Sequence, residues 1–170
     1  MKILVPSPVT PDKNSVRIVY VSEIMKQVKK KIDLDFFWFI YQPDRINSST
    51  HQDFKILDIH DFNNALDCLM DIKPDCVMIG PNFEPIQYAF SISCKKLKIP
   101  LIVFYYFGYE FEKFQSIRGP KKIISTLRNI FSNSIPTDSD KQKSFLRRLN
   151  FILYKIKFLS KTRKTVGQKN

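Results

Sequence analysis

The stretch MDIKPDCVMIGPNFEPIQYAFSISCKKLKIPLIVFYYFG, residues 70–108, holds two apolar runs at 76–79 and 101–106, each starting just after a proline. A run with no polar alternation has no face to offer to water, so as a strand it must be covered on both sides. Between the runs lies a segment with helical spacing. Strand, polar turn, helix and strand in this order form a parallel pair joined by a helical crossover. A chain containing such a unit is committed to a sheet with helices packed on it.

The rest of the body repeats the pattern. KILVPSP opens as a short buried strand stopped by Pro6 and Pro8. Ile18, Val21, Met25, Val28 and Ile32 then recur at spacings of three and four, one face of a helix. Asn14 or Ser15 is its expected N-cap, and Lys29 to Lys31 suit its negative end. DLDFFWFIYQ and FKILDI read as the next two strands, and a short helix from Asp61 or Phe62 to Ile72 leads into the opening stretch. The resulting order, β-α-β-β-α-β-α-β, predicts an α/β fold. It is an open, mostly parallel Rossmann-like sheet with helices on both faces and its first strand near the centre. Residues 2–6, 75–80 and 101–106 are expected to be buried.

At 170 residues this is one ordinary domain with room for a core. No apolar run approaches a membrane span, and MKILVPSP carries no signal-peptide pattern, so a cytoplasmic location is expected. Cys68, Cys76 and Cys94 form no C-x-x-C pair and read as core residues, and no metal is expected. Charge is unevenly spread. Residues 1–112 hold thirteen Lys and Arg against fourteen Asp and Glu, a balance of −1; residues 113–170 hold fifteen against two, +13, and the two sum to the net charge of +12. The domain boundary is placed there: a body over 1–112, then a basic helical segment over 113–170, with a linker near 132–142 and a fraying end from Lys161.

In open α/β sheets ligands bind in the crevice at the carboxyl ends of the strands. The loops that matter are therefore Ser7 to Ser15, Tyr41 to Arg45, Gly80 to Pro85 and Tyr105 to Glu110. In GPNFEP, Gly80 suits a tight turn, Asn82 or Glu84 can cap the following helix, and Pro85 fits its first turn. No glycine precedes Gly80, which excludes G-x-G-x-x-G and P-loop phosphate binding in the first turn. VPSPVT lacks the acidic residues of a phosphoacceptor. DIHDFN, residues 58–63, resembles the D-x-H-x-x-G of cobalamin-binding domains, but Asn63 stands for the glycine, and His60 reads as a helix-start residue. With His51 as the other histidine, a zinc site or a hydrolase triad has little to build on.

MKILVPSPVTP, the helix beginning NSVRIVYVSEIMKQV, and KPDCVMIG followed by a helix and LKIPLIVFYY resemble the N-terminal, acceptor-binding half of a GT-B glycosyltransferase, over roughly residues 1–110. Where many members carry a glycine pair in the first loop this chain has PDKN, and Tyr105, Tyr106 and Phe107 stand near the family's strand-end histidine. The resemblance implies transfer of a sugar from a nucleotide-sugar donor, a substrate rather than a cofactor, to a saccharide or lipid-linked acceptor. It also implies a second GT-B domain or partner subunit for the donor, with no counterpart in this sequence, so this chain alone is expected not to turn over. For such chemistry the helix start at Asn14 and Ser15, with Arg17, offers N–H groups and positive charge to phosphates. Ser7, Asn82, Tyr105 and Tyr106 are the other donor-phosphate or acceptor-binding candidates. Glu110 or Glu84 is the candidate catalytic base.

In KQKSFLRRLNFILYKIKFLSKTRK, Phe145, Leu149, Ile152, Ile156 and Leu159 form an apolar stripe that Leu146 and Leu153 widen. Arg147, Arg148, Lys155, Lys157 and Lys161 occupy much of the remaining circumference. This is the pattern of an interfacial helix on an anionic membrane, here the inner face. The expected membrane-facing residues are Phe145, Arg147, Arg148, Leu149, Ile152, Lys155, Ile156 and Lys157. Two alternatives stay open: the stripe packs on the sheet or a second domain, or the basic segment binds nucleic acid. A non-catalytic binding module of the same fold is the other functional reading.

Overall fold

The computed structural model describes residues 1–8, 16–46, 54–80, 84–103 and 139–168. Its elements keep the expected order: β1 (Lys2–Ser7), α1 (Val16–Lys29), β2 (Asp35–Ile40), β3 (Lys55–Asp58), α2 (Ala65–Ile72), β4 (Cys76–Ile79), α3 (Pro85–Leu97), β5 (Leu101–Val103) and α4 (Ser139–Gln168). The five strands form one sheet, β3-β2-β1-β4-β5, and every pairing is parallel. The chain steps from β1 out to β2 and β3, then returns across β1 to β4 and β5. Right-handed crossovers running in these two directions fall on opposite faces of the sheet.

The apolar runs explain the arrangement. On one face Leu4, Phe37, Phe39, Val77 and Ile79 meet Cys68 and Leu69 of α2 and Ile86, Ala89 and Phe90 of α3. Phe39 and Phe90 pack edge to face with centroids 4.8 Å apart, a geometry aromatic quadrupoles favour. On the other face Ile3, Val5, Phe36, Trp38, Ile40 and Met78 are all no more than 8% exposed. β1, β2 and β4 are thus buried on both sides, as unbroken apolar strands require.

KPDCVMIG has a structural role at the amino end of β4. Lys73 ends α2 in the left-handed region, at φ 51°, and Pro74 cannot continue the helix. Asp75 then ties the new strand to the old one: its Oδ2 accepts from the Lys2 main-chain N–H at 2.6 Å, and its own N–H donates to Lys2 O at 2.9 Å.

The chain divides into two compact units, residues 1–104 with 151–170, and residues 105–150. The last part of α4, residues 151–168, thus belongs to the same unit as the sheet. Phe158 is 2% exposed within the core cluster, its ring 6.2 Å from that of Phe39, and Phe151, Tyr154 and Leu159 pack beside it. Thr162 is fully buried. Its hydroxyl donates to Phe158 O at 2.9 Å and accepts from the Ala65 N–H at 3.1 Å, satisfying an orphan donor in the first turn of α2.

Four local expectations are corrected. α4 already begins at Ser139, inside the expected linker, and runs to Gln168 where fraying was expected, since Thr162 anchors its last turns. α2 starts at Ala65 because Asn64 is the better cap: Asn64 Oδ1 accepts from the Asp67 N–H, and a 3₁₀ turn, Ile59–Asp61, precedes it. In β5, Ile102 and Val103 are exposed and Leu101 half-buried, since this three-residue strand lies at the edge beside β4; residues 104–106 lie outside the described residues. At Gly80 an added Cβ would meet nothing closer than Gln87 Nε2 at 3.6 Å, an ordinary contact, so the turn does not require glycine.

The Thr162 bond has a measurable consequence. Thr162→Val keeps the shape but leaves the Ala65 N–H buried and unpaired, which costs about 1 to 3 kcal/mol. Urea denaturation should show this loss, with Thr162→Ser close to the parent.

Candidate functional site

The strand order reverses between β1, which continues to β2, and β4, which lies on its other side. Crevices in open α/β sheets form at the carboxyl ends of two such strands. Here those ends are Ser7 and Gly80, with Glu84 opening α3. Ser7 is buried, and its carbonyl accepts from the Tyr41 N–H at 3.0 Å, which draws the end of β2 alongside. Gln42 Nε2 donates to Pro8 O at 3.0 Å and fixes the start of the next loop.

Glu84 occupies the N-cap position of α3 with Pro85 next, as the turn chemistry predicts. Its side chain makes no capping bond. Instead its Oε2 accepts from Lys155 Nζ at 3.0 Å, across 71 residues of sequence. The ammonium also lies over two aromatic rings, 5.2 Å from the Phe151 centroid and 6.0 Å from that of Tyr41. Such faces attract a cation, so Lys155 is held at the crevice rim by a carboxylate and two π systems. Next to Glu84 in the first turn of α3, Gln87 is 5% exposed, and its Oε1 has no hydrogen-bond partner among the described residues. An unpaired buried carbonyl is costly, and a bound N–H or O–H donor would relieve it.

The second cluster lies at the carboxyl end of β3. Asp58 is 1% exposed, and its carboxylate accepts from the main-chain N–H groups of Ile46 and His60 and lies 2.7 Å from His60 Nδ1. The His60 ring leans on Tyr154 of α4, with centroids 5.2 Å apart and planes at 32°, and Tyr154 Oη donates to Ile59 O at 3.4 Å. Burial first, and then the carboxylates of Asp58 and Asp61, push the Tyr154 phenol above its ordinary range. Arg45 donates to Asp61 at 2.6 Å, and that bond holds the guanidinium in its charged form. Tyr154 and Lys155 are consecutive residues of one helix, so α4 joins the His60 and Glu84 clusters.

Of the sequence-predicted site residues, Glu84 and Ser7 lie at the switch-point crevice and Arg17 is in the first turn of α1. Asn14, Ser15, Asn82, Tyr105, Tyr106 and Glu110 lie outside the described residues. On α4, Arg147, Arg148, Ile156 and Lys157 are exposed, Phe145, Leu149 and Ile152 are half-buried, and Lys155 is turned to Glu84. Gln87 was not among the expected site residues, and Asp58 was marked only as the first residue of DIHDFN. Gln87 was legible as a polar residue within the apolar stripe of α3.

Burial pushes all three thiols up: Cys68 well above its ordinary range, Cys94 to about 12, and Cys76 also above its usual value. They are core residues rather than nucleophiles. No group of three or more potential metal ligands occurs among the described residues. A hollow of about 360 Å³ opens beside the amino ends of β4 and β5, lined by Leu69, Met70, Lys73, Pro74, Leu97 and Ile99. It contains no carboxylate or imidazole.

No family model matches the chain, and comparison with curated proteins and with solved structures finds no significant match.

Proposed function

We propose that this chain binds the acceptor in a glycosyltransferase-like enzyme, which moves a sugar from a nucleotide-sugar donor to a saccharide or lipid-linked acceptor. The observation that carries the reading is the switch-point crevice between β1 and β4, with the Glu84 carboxylate at the N-cap of α3 and the unpaired Gln87 carbonyl in its first turn. Sugars are recognised by acceptors of this kind, to which their hydroxyl groups donate hydrogen bonds. The similarity of KPDCVMIG and LKIPLIVFYY to GT-B enzymes supports the same reading. In this scheme the donor diphosphate is clamped by a second domain or a partner subunit.

Isothermal titration of the purified chain with a panel of mono- and oligosaccharides tests the reading. A saccharide should bind, Glu84→Gln should weaken it about tenfold, the worth of one charged hydrogen bond, and nucleotide-sugar turnover should be absent without the second domain. Binding that is absent across the panel, or indifferent to both Glu84→Gln and Gln87→Leu, would sink the proposal.

The same reading seats α4 on an anionic membrane. Its support is an outward stripe: Leu146, Leu153 and Ile156 are 50%, 54% and 39% exposed, and Leu149 lies among them at helical spacing. This stripe is separate from the side bearing Phe151, Tyr154, Phe158 and Thr162. Among the described residues, no helix is long and apolar enough to cross a membrane.

A further inference from the structure

We propose that Asp58 and His60 form a proton-transfer dyad, in which His60 Nε2 takes a proton from a hydroxyl- or thiol-bearing substrate at the carboxyl end of β3. The argument starts from the tautomer. Nδ1 lies 2.7 Å from Asp58 Oδ1, and a carboxylate oxygen at that distance needs a proton on its partner, so Nδ1 carries it. In the neutral imidazole the lone pair is then on Nε2, which has no hydrogen-bond partner among the described residues.

The surroundings fix this arrangement. Asp58 is almost wholly buried, and the N–H groups of Ile46 and His60 hold its two oxygens, so the carboxylate cannot swing away. Tyr154 supports the imidazole ring, whose side chain is still 25% exposed. Capping the 3₁₀ turn needs only the bond from the His60 N–H. The additional bond to Nδ1 is the one that orients a general base and stabilises the imidazolium it becomes.

The dyad is independent of the sugar reading, which assigns its chemistry to Glu84 and Glu110. It lies on the same rim of the sheet and serves any small substrate whose reaction begins with loss of a proton from oxygen or sulfur.

Two measurements on the intact chain test it. A long-range ¹⁵N–¹H correlation spectrum should show neutral His60 protonated at Nδ1 and bare at Nε2. p-Nitrophenyl acetate then probes reactivity: Nε2 attacks the ester carbonyl, the bond to p-nitrophenolate breaks, and water hydrolyses the acetyl-imidazole to acetate and free His60. His60→Gln should remove the accelerated hydrolysis, His51→Gln should retain it, and Asp58→Asn should slow it about tenfold or more through loss of the tautomer. A proton found on Nε2, or hydrolysis by His60→Gln at the parent rate, overturns the proposal. Should Asp58→Asn fail to fold, the parent spectrum and the His60→Gln rate still decide.

Discussion

Replacing Phe158 with alanine is expected to cost the sheet unit about 3 to 5 kcal/mol. The ring is 2% exposed and belongs to the same cluster as Phe39, Phe90 and Ile59, so its removal leaves a cavity rather than a surface. Domains of this size are stable by only about 5 to 15 kcal/mol in all. The variant should therefore unfold at much lower urea concentration, and amide exchange in the last turns of α4 should quicken as Thr162 loses its seat. Leu153, on the outer side of the same helix and 54% exposed, is the control. Its change to alanine should stay within about 0.5 kcal/mol of the parent. Equal stabilities for the two variants would mean that α4 does not dock on the sheet.

The second large effect concerns membrane binding. Leu146 and Leu153 are seven residues apart, on one side of α4 and largely exposed. Burying a leucine is worth about 1.5 to 3 kcal/mol, so changing both to glutamate should weaken co-sedimentation with anionic vesicles about a hundredfold, the two charges adding to the loss. On the membrane proposal the basic residues would add a separate part, about 1 kcal/mol each near an anionic leaflet, which salt screens. Parent chain should retain part of its binding at high salt, and the double variant should retain none. The core is untouched by both substitutions, so unfolding cannot mimic the result. Vesicle binding unchanged in the variant, or competed away by short single-stranded nucleic acid at physiological salt, would move the basic segment to the nucleic-acid reading.

The strands were legible because their apolar runs leave one outcome: DFFWFI and CVMI have no polar face, and both lie inside the sheet. Over its described residues, 101–103, the run LIVFYY departs from the same rule, since a strand at the edge is covered on fewer sides than its composition suggests. The C-terminal helix shows a different limit. Between Phe145 and Leu159 apolar residues recur on more than one side of the helix, and the expected stripe runs through Leu149, Ile152 and Ile156. The docked side runs through Phe151, Tyr154, Phe158 and Thr162, at equally helical spacing. Only the receiving surface, built by Phe39 and the start of α2, distinguishes the two. The partner of Glu84 was hidden for a related reason: a contact across 71 residues leaves no local signature. His60 was visible within a motif, but the bond from its ring to Asp58 depends on how the chain turns after β3.

The bond between Ala65 and Thr162 spans 97 residues and closes the core with a segment made late in synthesis. Chains emerge at about 5 to 20 residues per second, so the part of the Phe39 side that α4 covers, beside Ile59 and the start of α2, stays open for seconds. Contacts this distant also make the search for the native pairing slow. During that interval the open part of this face, around Phe39, invites association with other chains. Production of this protein should therefore be governed less by the stability of the finished fold than by how the nascent sheet is sheltered until residues 151–168 arrive.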